Sequence, residues 1–168
     1  MVKVLVPVGG PGGSLAVRHV LAEFVKGTAI EIHLLNVQPP FSRHIAQFAS
    51  RRSLAEFHRE QADKVLEPAR EILDRHRVPY AVHVTVGRSA DVIVETAKKL
   101  RVHHIVMSTA RKNSLTRMVQ DSVTNRVLEL TPVPVEVIAG ENISKLERYG
   151  IPVGVGTALA ALLVAALD

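Results

Sequence analysis

Five short apolar runs, at residues 2–8, 29–37, 79–86, 103–108 and Val133 to Ile138, alternate along this chain with stretches of amphipathic helical character. Runs this short and this apolar suit strands buried on both faces, and connections this long exclude simple hairpins. Strand, helix and strand in repetition pack only as right-handed crossovers, which predicts a parallel sheet covered by helices on both faces. Ligands in such sheets sit at the carboxyl ends of the strands, where the strand order reverses. The loops after the first, second and fourth runs therefore form the predicted site.

The punctuation between the runs agrees with this reading. Gly9-Gly10-Pro11-Gly12-Gly13 after the first run must be a loop, and Ser14 can cap a helix reaching about Lys26. That helix has an apolar stripe of Leu15, Val17, Val20, Leu21, Phe24 and Val25, and Gly27 ends it. Gln38-Pro39-Pro40 breaks the chain before a polar helix over about 50–76, in which Pro68 lacks a donor and predicts a kink or break. Gly87-Arg88-Ser89 is a turn and cap for a helix over 90–100, and a last helix covers about 122–130.

A length of 168 residues suits one domain with an appendage, and 47% hydrophobic against 22% charged residues marks a globular body. The absence of cysteine excludes disulfides, thiolate metal sites and cysteine nucleophiles. The opening MVKVLVPV is too short and too regular for a signal sequence, so a cytoplasmic protein is expected. A formal charge of +5 favours acidic partners, but the basic residues are scattered without aromatic interleaving, so nucleic acid is not expected. The glycine-rich loop lacks both the dinucleotide spacing and the Lys-Ser/Thr pair of a phosphate loop.

Catalytic and metal chemistry find no foothold. His33, His83, His103 and His104 lie near strands without the spacing of a metal site, and neighbours in a strand point to opposite faces. No serine stands in a nucleophile elbow. Asp91 and Glu95, near Lys98 and Lys99, read as solvated ion-pair residues. A non-enzymatic protein with no metal is expected.

Three segments resemble the universal stress protein family: VKVLVPVGG at 2–10, VGRSADVIVETAKKLRVHHIVMS at 86–108 and SLTRMVQDSVTNRVLELTPVPVEVI at 114–138. The resemblance implies a doubly wound, five-stranded parallel sheet of the adenine nucleotide alpha hydrolase type. It implies a domain over 1–140 and a homodimer paired through the edge strand Val133 to Ile138. Pro132 and Pro134 at the start of that edge would limit unwanted pairing.

Nucleotide-binding members of that family place an acidic residue after the first strand. They follow the fourth strand with two glycines separated by two residues and, nine residues later, Gly followed by Ser or Thr. The acid holds ribose hydroxyls, and the glycines admit backbone N–H groups to phosphate oxygens. The matching positions here are Gly9, Ser108, Arg111, Asp121 and Ser122, of which only Ser122 keeps the type. Pro7, Val8, Val37 and Met107 match positions that line the adenine pocket, and Val123 and Thr124 follow Ser122 in the same loop-to-helix segment.

Arg111 brings a side chain where bare backbone serves, although its charge can itself hold an anion. Asp121 puts a carboxylate at a helix N-terminus, where two negative charges about 4 Å apart repel by ~4 kcal/mol at an effective dielectric of 20. The favoured reading of Asp121 is a cap that satisfies the helix internally, in place of a ligand role. Arg111, Lys112 and Arg117 remain a loop anion patch. The expectation is a degenerate pocket with no cofactor. The alternative is ATP, or another adenine nucleotide, held by a variant cradle of Ser108, Arg111 and Ser122.

After Gly140 the composition changes. Residues 141–149 are mixed and charged, and Ile151 to Leu167 carries no charge before the final Asp168. As a helix, that stretch spans about 26 Å, the lower limit for crossing a bilayer. Small residues four apart, at Gly154 and Ala158, Gly156 and Ala160, and Ala161 and Ala165, favour close helix approach. Residues 141–168 therefore read as a tail with an apolar helix, either anchoring in a membrane or buried against the domain or its dimer mate. A regulatory domain docking on a membrane transporter is a further alternative for the whole chain.

Overall fold

A computed structural model of the chain describes residues 1–10, 13–109 and 123–139. The expectations attached to Arg111, Asp121 and Ser122, and to the tail over 141–168, lie outside the described residues.

The apolar runs become strands β1 (Val2–Pro7), β2 (Ile30–Gln38), β3 (Tyr80–Val86), β4 (His104–Thr109) and β5 (Val135–Ala139). The intervening helices are α1 (Gly13–Val25), the single-turn α2 (Arg43–Ala46), α3 (Arg51–Arg75), α4 (Ser89–Leu100) and α5, helical over 123–130. The five strands form one sheet in the order β3-β2-β1-β4-β5, with every pair parallel. Register runs from Val2 opposite Ile30 to Pro7 opposite Leu35, and from Ile105 opposite Val135 to Thr109 opposite Ala139.

Strand alternation sorts the core into two layers. Val4, Val6, Ile32, Leu34 and Val106 meet Ala16, Val17 and Val20 of α1 and Ala62, Leu66 and Leu73 of α3. Their sequence neighbours Leu5, Leu35, Ile105 and Met107 meet Ile93, Val94 and Ala97 of α4 and Val127 of α5. The chain moves outward from β1 to β2 and β3 with α1 and α3 on one face. It then crosses back to β4 with α4 on the other, as right-handed crossovers require when the direction of winding reverses. Each fully buried Leu or Ile contributes about 1.5–3 kcal/mol relative to exposure.

Some local expectations meet a different outcome: α1 already begins at Gly13, so Ser14 lies within it rather than capping it. Pro68 does not break α3, which continues from Arg51 to Arg75. Lys64 and Pro68 are both exposed, so the bond that Pro68 cannot make belongs to the outer face, while Leu66, Ala69 and Leu73 hold the inner face in the core. The edge strand begins at Val135, two residues later than its apolar run, because Pro134 has no N–H for the ladder. Ser50 caps α3 by accepting from the Ser53 amide at 3.0 Å.

Candidate functional site

The direction of winding reverses between β1 and β4, which are hydrogen-bonded neighbours at Val4–His104 and Leu5–Ile105. A cleft of about 180 Å³ opens at the carboxyl ends of the strands. Its apolar walls come from Pro7 and Val8 after β1, Leu35 and Val37 of β2, Met107 of β4, Ile93 of α4 and Val123 of α5. Gly9, Gly10 and Gly13 line it with backbone, and the hydroxyl-bearing residues Ser89, Ser108 and Thr124 complete the lining.

Close packing shapes the floor. A Cβ on Gly13 would stand 2.7 Å from Val8 Cγ1 and 3.3 Å from Val8 Cα, so α1 can approach the end of β1 only with glycine there. The Gly13 amide donates to the Gly10 carbonyl at 2.9 Å and closes the turn. Gly9 and Gly10 have no heavy atom within 4 Å of an added Cβ.

A buried polar clasp holds the same loop. The Val8 amide donates to the Leu35 carbonyl at 2.8 Å, and Asn36 Nδ2 donates to the Val8 carbonyl at 2.8 Å. Because Val8 O only accepts, the Asn36 amide must present Nδ2 there and turn Oδ1 to Gln38 Nε2, 2.6 Å away. The Gln38 carbonyl in turn accepts from the Gly87 amide at 2.9 Å, in the turn leading to Ser89. The loop after β1 and the turn after β3 are thereby tied through β2.

No described residue lining the cleft is titratable. The described histidines lie outside the cleft lining: His103 Nδ1 accepts from the Lys3 amide at 2.9 Å, and His33 lies between Glu31 and His83. Burial, then the charges of His33 and Lys99, push His83 below the usual histidine range. Asp91 pairs with Arg88 at 3.0 Å rather than with a lysine of its own helix. Among the described residues no group of three side chains is placed to hold a metal ion.

Eight positions singled out from the sequence meet at this cleft: Pro7, Val8, Gly9, Val37, Met107, Ser108, Val123 and Thr124. Gly10, Gly13, Leu35, Ser89 and Ile93 join them without having been named as site residues. Ser89 was legible only as a cap, and Leu35 and Ile93 only as core. Strand parity carries a signal for Leu35, which shares the face of Val37.

The model of the universal stress protein family matches residues 1–139. The chain belongs to the universal stress protein family. It is 27% identical over 139 residues to universal stress protein MJ0531 of Methanocaldococcus jannaschii, covering 81% of each chain. Among solved structures it superposes on hypothetical protein MJ0577 with a TM-score of 0.68 and 26% identity, over 83% of this chain and 96% of the other. A universal stress protein family protein from Arabidopsis thaliana with AMP bound matches in fold, with a TM-score of 0.60 and 19% identity, over 86% of this chain and 95% of that one. This universal stress protein thus has the fold that its three family-like segments imply, and the match ends at residue 139, before the apolar tail. Among the described residues no helix is long and apolar enough to cross a membrane.

Proposed function

We propose that this universal stress protein is a non-enzymatic binding and signalling domain whose cleft keeps an apolar wall for a flat base but does not hold a nucleotide tightly. The observation that carries this reading is at Gly9. The family's ribose-holding acid is missing there although the space for a side chain is open, so packing does not account for its absence. No titratable described residue elsewhere on the cleft replaces it. The nature of Arg111 and Asp121 supports the same reading, since a carboxylate repels phosphate and a guanidinium displaces bare backbone.

Members of the family are often dimeric. The finer proposal is a homodimer through β5, supported by its position at the sheet edge and by the exposed apolar side chains of Val137 and Leu128 nearby in the chain. The apolar stretch Ile151 to Leu167 would supply a membrane or membrane-protein contact.

One observation favours a second reading. Ser89, Ser108 and Thr124, all hydroxyl-bearing, line the cleft, and an AMP-bound relative shares the fold. In that reading Ser108, Arg111 and Ser122 form a variant phosphate cradle for ATP. Acid extraction and chromatography of the freshly purified protein separate the two. The proposal expects no stoichiometric adenine nucleotide, and one nucleotide per chain supports the variant cradle instead.

A further inference from the structure

On the α4 side of the sheet lies a line of polar groups that the proposed function does not use, and its last member, His83, stands opposite the cleft residue Leu35 in register. Lys3 Nζ of β1 stands 3.6 Å from Glu31 Oε1 of β2. The same carboxylate oxygen lies 3.0 Å from His33 Nε2, and His33 Nδ1 lies 3.0 Å from His83 Nε2 on the edge strand β3. The His33 side chain is 8% exposed, and the two ring centroids are 5.3 Å apart. Lys99 of α4 adds a positive charge near His83.

These partners determine where protons can sit. A carboxylate only accepts, so His33 carries a proton on Nε2. In the neutral pair His33 Nδ1 is then the acceptor, and His83 Nε2–H is the donor. One added proton leaves the bond intact, whether it sits on His83 Nδ1 or moves to His33 Nδ1, because a single hydrogen still lies between the facing nitrogens. A second added proton gives both facing nitrogens a hydrogen. No acceptor remains, and two cations face each other beside Lys99, with Glu31 as the only counter-charge in the line.

We propose that His33 and His83 form a proton-limited latch that joins the edge strand β3 to β2, stays closed with one added proton and opens with the second. Its opening loosens the edge strand and the turn into α4, whose first residue Ser89 lines the cleft, so acid is the signal this device reads. The sign follows from the lowered position of His83. The unfolded chain takes up protons at ordinary histidine values, near 6.5, while the folded pair resists the second. Stability from the latch is present above that pH and is lost as pH falls toward the depressed value. The proposal is independent of whether the cleft binds nucleotide.

His83→Gln provides the test, because an amide N–H can donate to His33 Nδ1 without titrating. Urea unfolding of the full chain at pH 7.5 and pH 5.5 compares the two proteins, and acid effects from the other histidines are common to both. The folding equilibrium constant of the wild type should fall severalfold further than that of the variant, because the folded pair resists a proton that the unfolded chain accepts. Equal losses overturn the latch. Nitrogen-15 imidazole spectra of the unmodified chain give the same answer should the variant fail to fold. A coupled pair, with one ring titrating clearly below the other and His33 bare at Nδ1 above neutrality, supports the latch. Two independent titrations at ordinary values contradict it.

Discussion

The side-chain amide of Asn36 donates to the carbonyl of Val8 at 2.8 Å, across the boundary between β2 and the loop that floors the cleft. Asn36 is 2% exposed, and its oxygen accepts from Gln38, so the contact belongs to a closed network rather than to a lone bond.

Removing Asn36 leaves both the Val8 carbonyl and the Gln38 amide without their partner in a buried place. Asn36→Ala should destabilise the fold by about 2–3 kcal/mol, since each orphaned buried group costs roughly 1–3 kcal/mol. Urea denaturation reads this directly. An unchanged midpoint would show that water or Gln38 closes the gap.

Gly13 and Gly9 make a matched contrast. Alanine at Gly13 meets Val8 at 2.7 Å, including contact with backbone, whereas alanine at Gly9 meets nothing within 4 Å. Gly13→Ala should cost about 1–3 kcal/mol, the usual range for overpacking a close contact. Gly9→Ala should stay within about 0.5 kcal/mol. Thermal unfolding of the two variants side by side checks the ordering, and a reversed order would contradict the described approach of α1 to β1.

Val137 lies on the edge strand and is 40% exposed. If β5 is the dimer edge, Val137→Asp brings a carboxylate into the buried seam and shifts dimer to monomer at micromolar concentration, as seen by sedimentation or light scattering. The isolated fold should lose little. A dimer unaffected by the change would place the interface elsewhere.

Much of this architecture was legible in the order of residues because each strand is a short apolar run whose two faces are both buried. Leu34 and Leu35 both disappear into core, one on each side of the sheet, so uninterrupted hydrophobicity reads correctly as a strand between two helical layers. Boundaries moved where a single atom decides them, as with the missing N–H of Pro134. The sequence singled out eight of the residues that line the cleft, among them Pro7, Met107 and Thr124. The site was illegible where a residue's role depends on tertiary parity: Ser89 and Ile93 face the cleft only because α4 begins beside the ends of β1 and β2. The Asn36–Val8 clasp and the His33–His83 pair were hidden for the same reason, since partners 28 and 50 positions apart meet only once the sheet is assembled.

The central claim is that this cleft has lost tight hold of a nucleotide, and titration calorimetry with ATP at modest salt tests it most directly. The account predicts no saturable heat at micromolar ATP. Saturable micromolar binding that disappears when Ser122→Ala and Arg111→Ala are combined would contradict it.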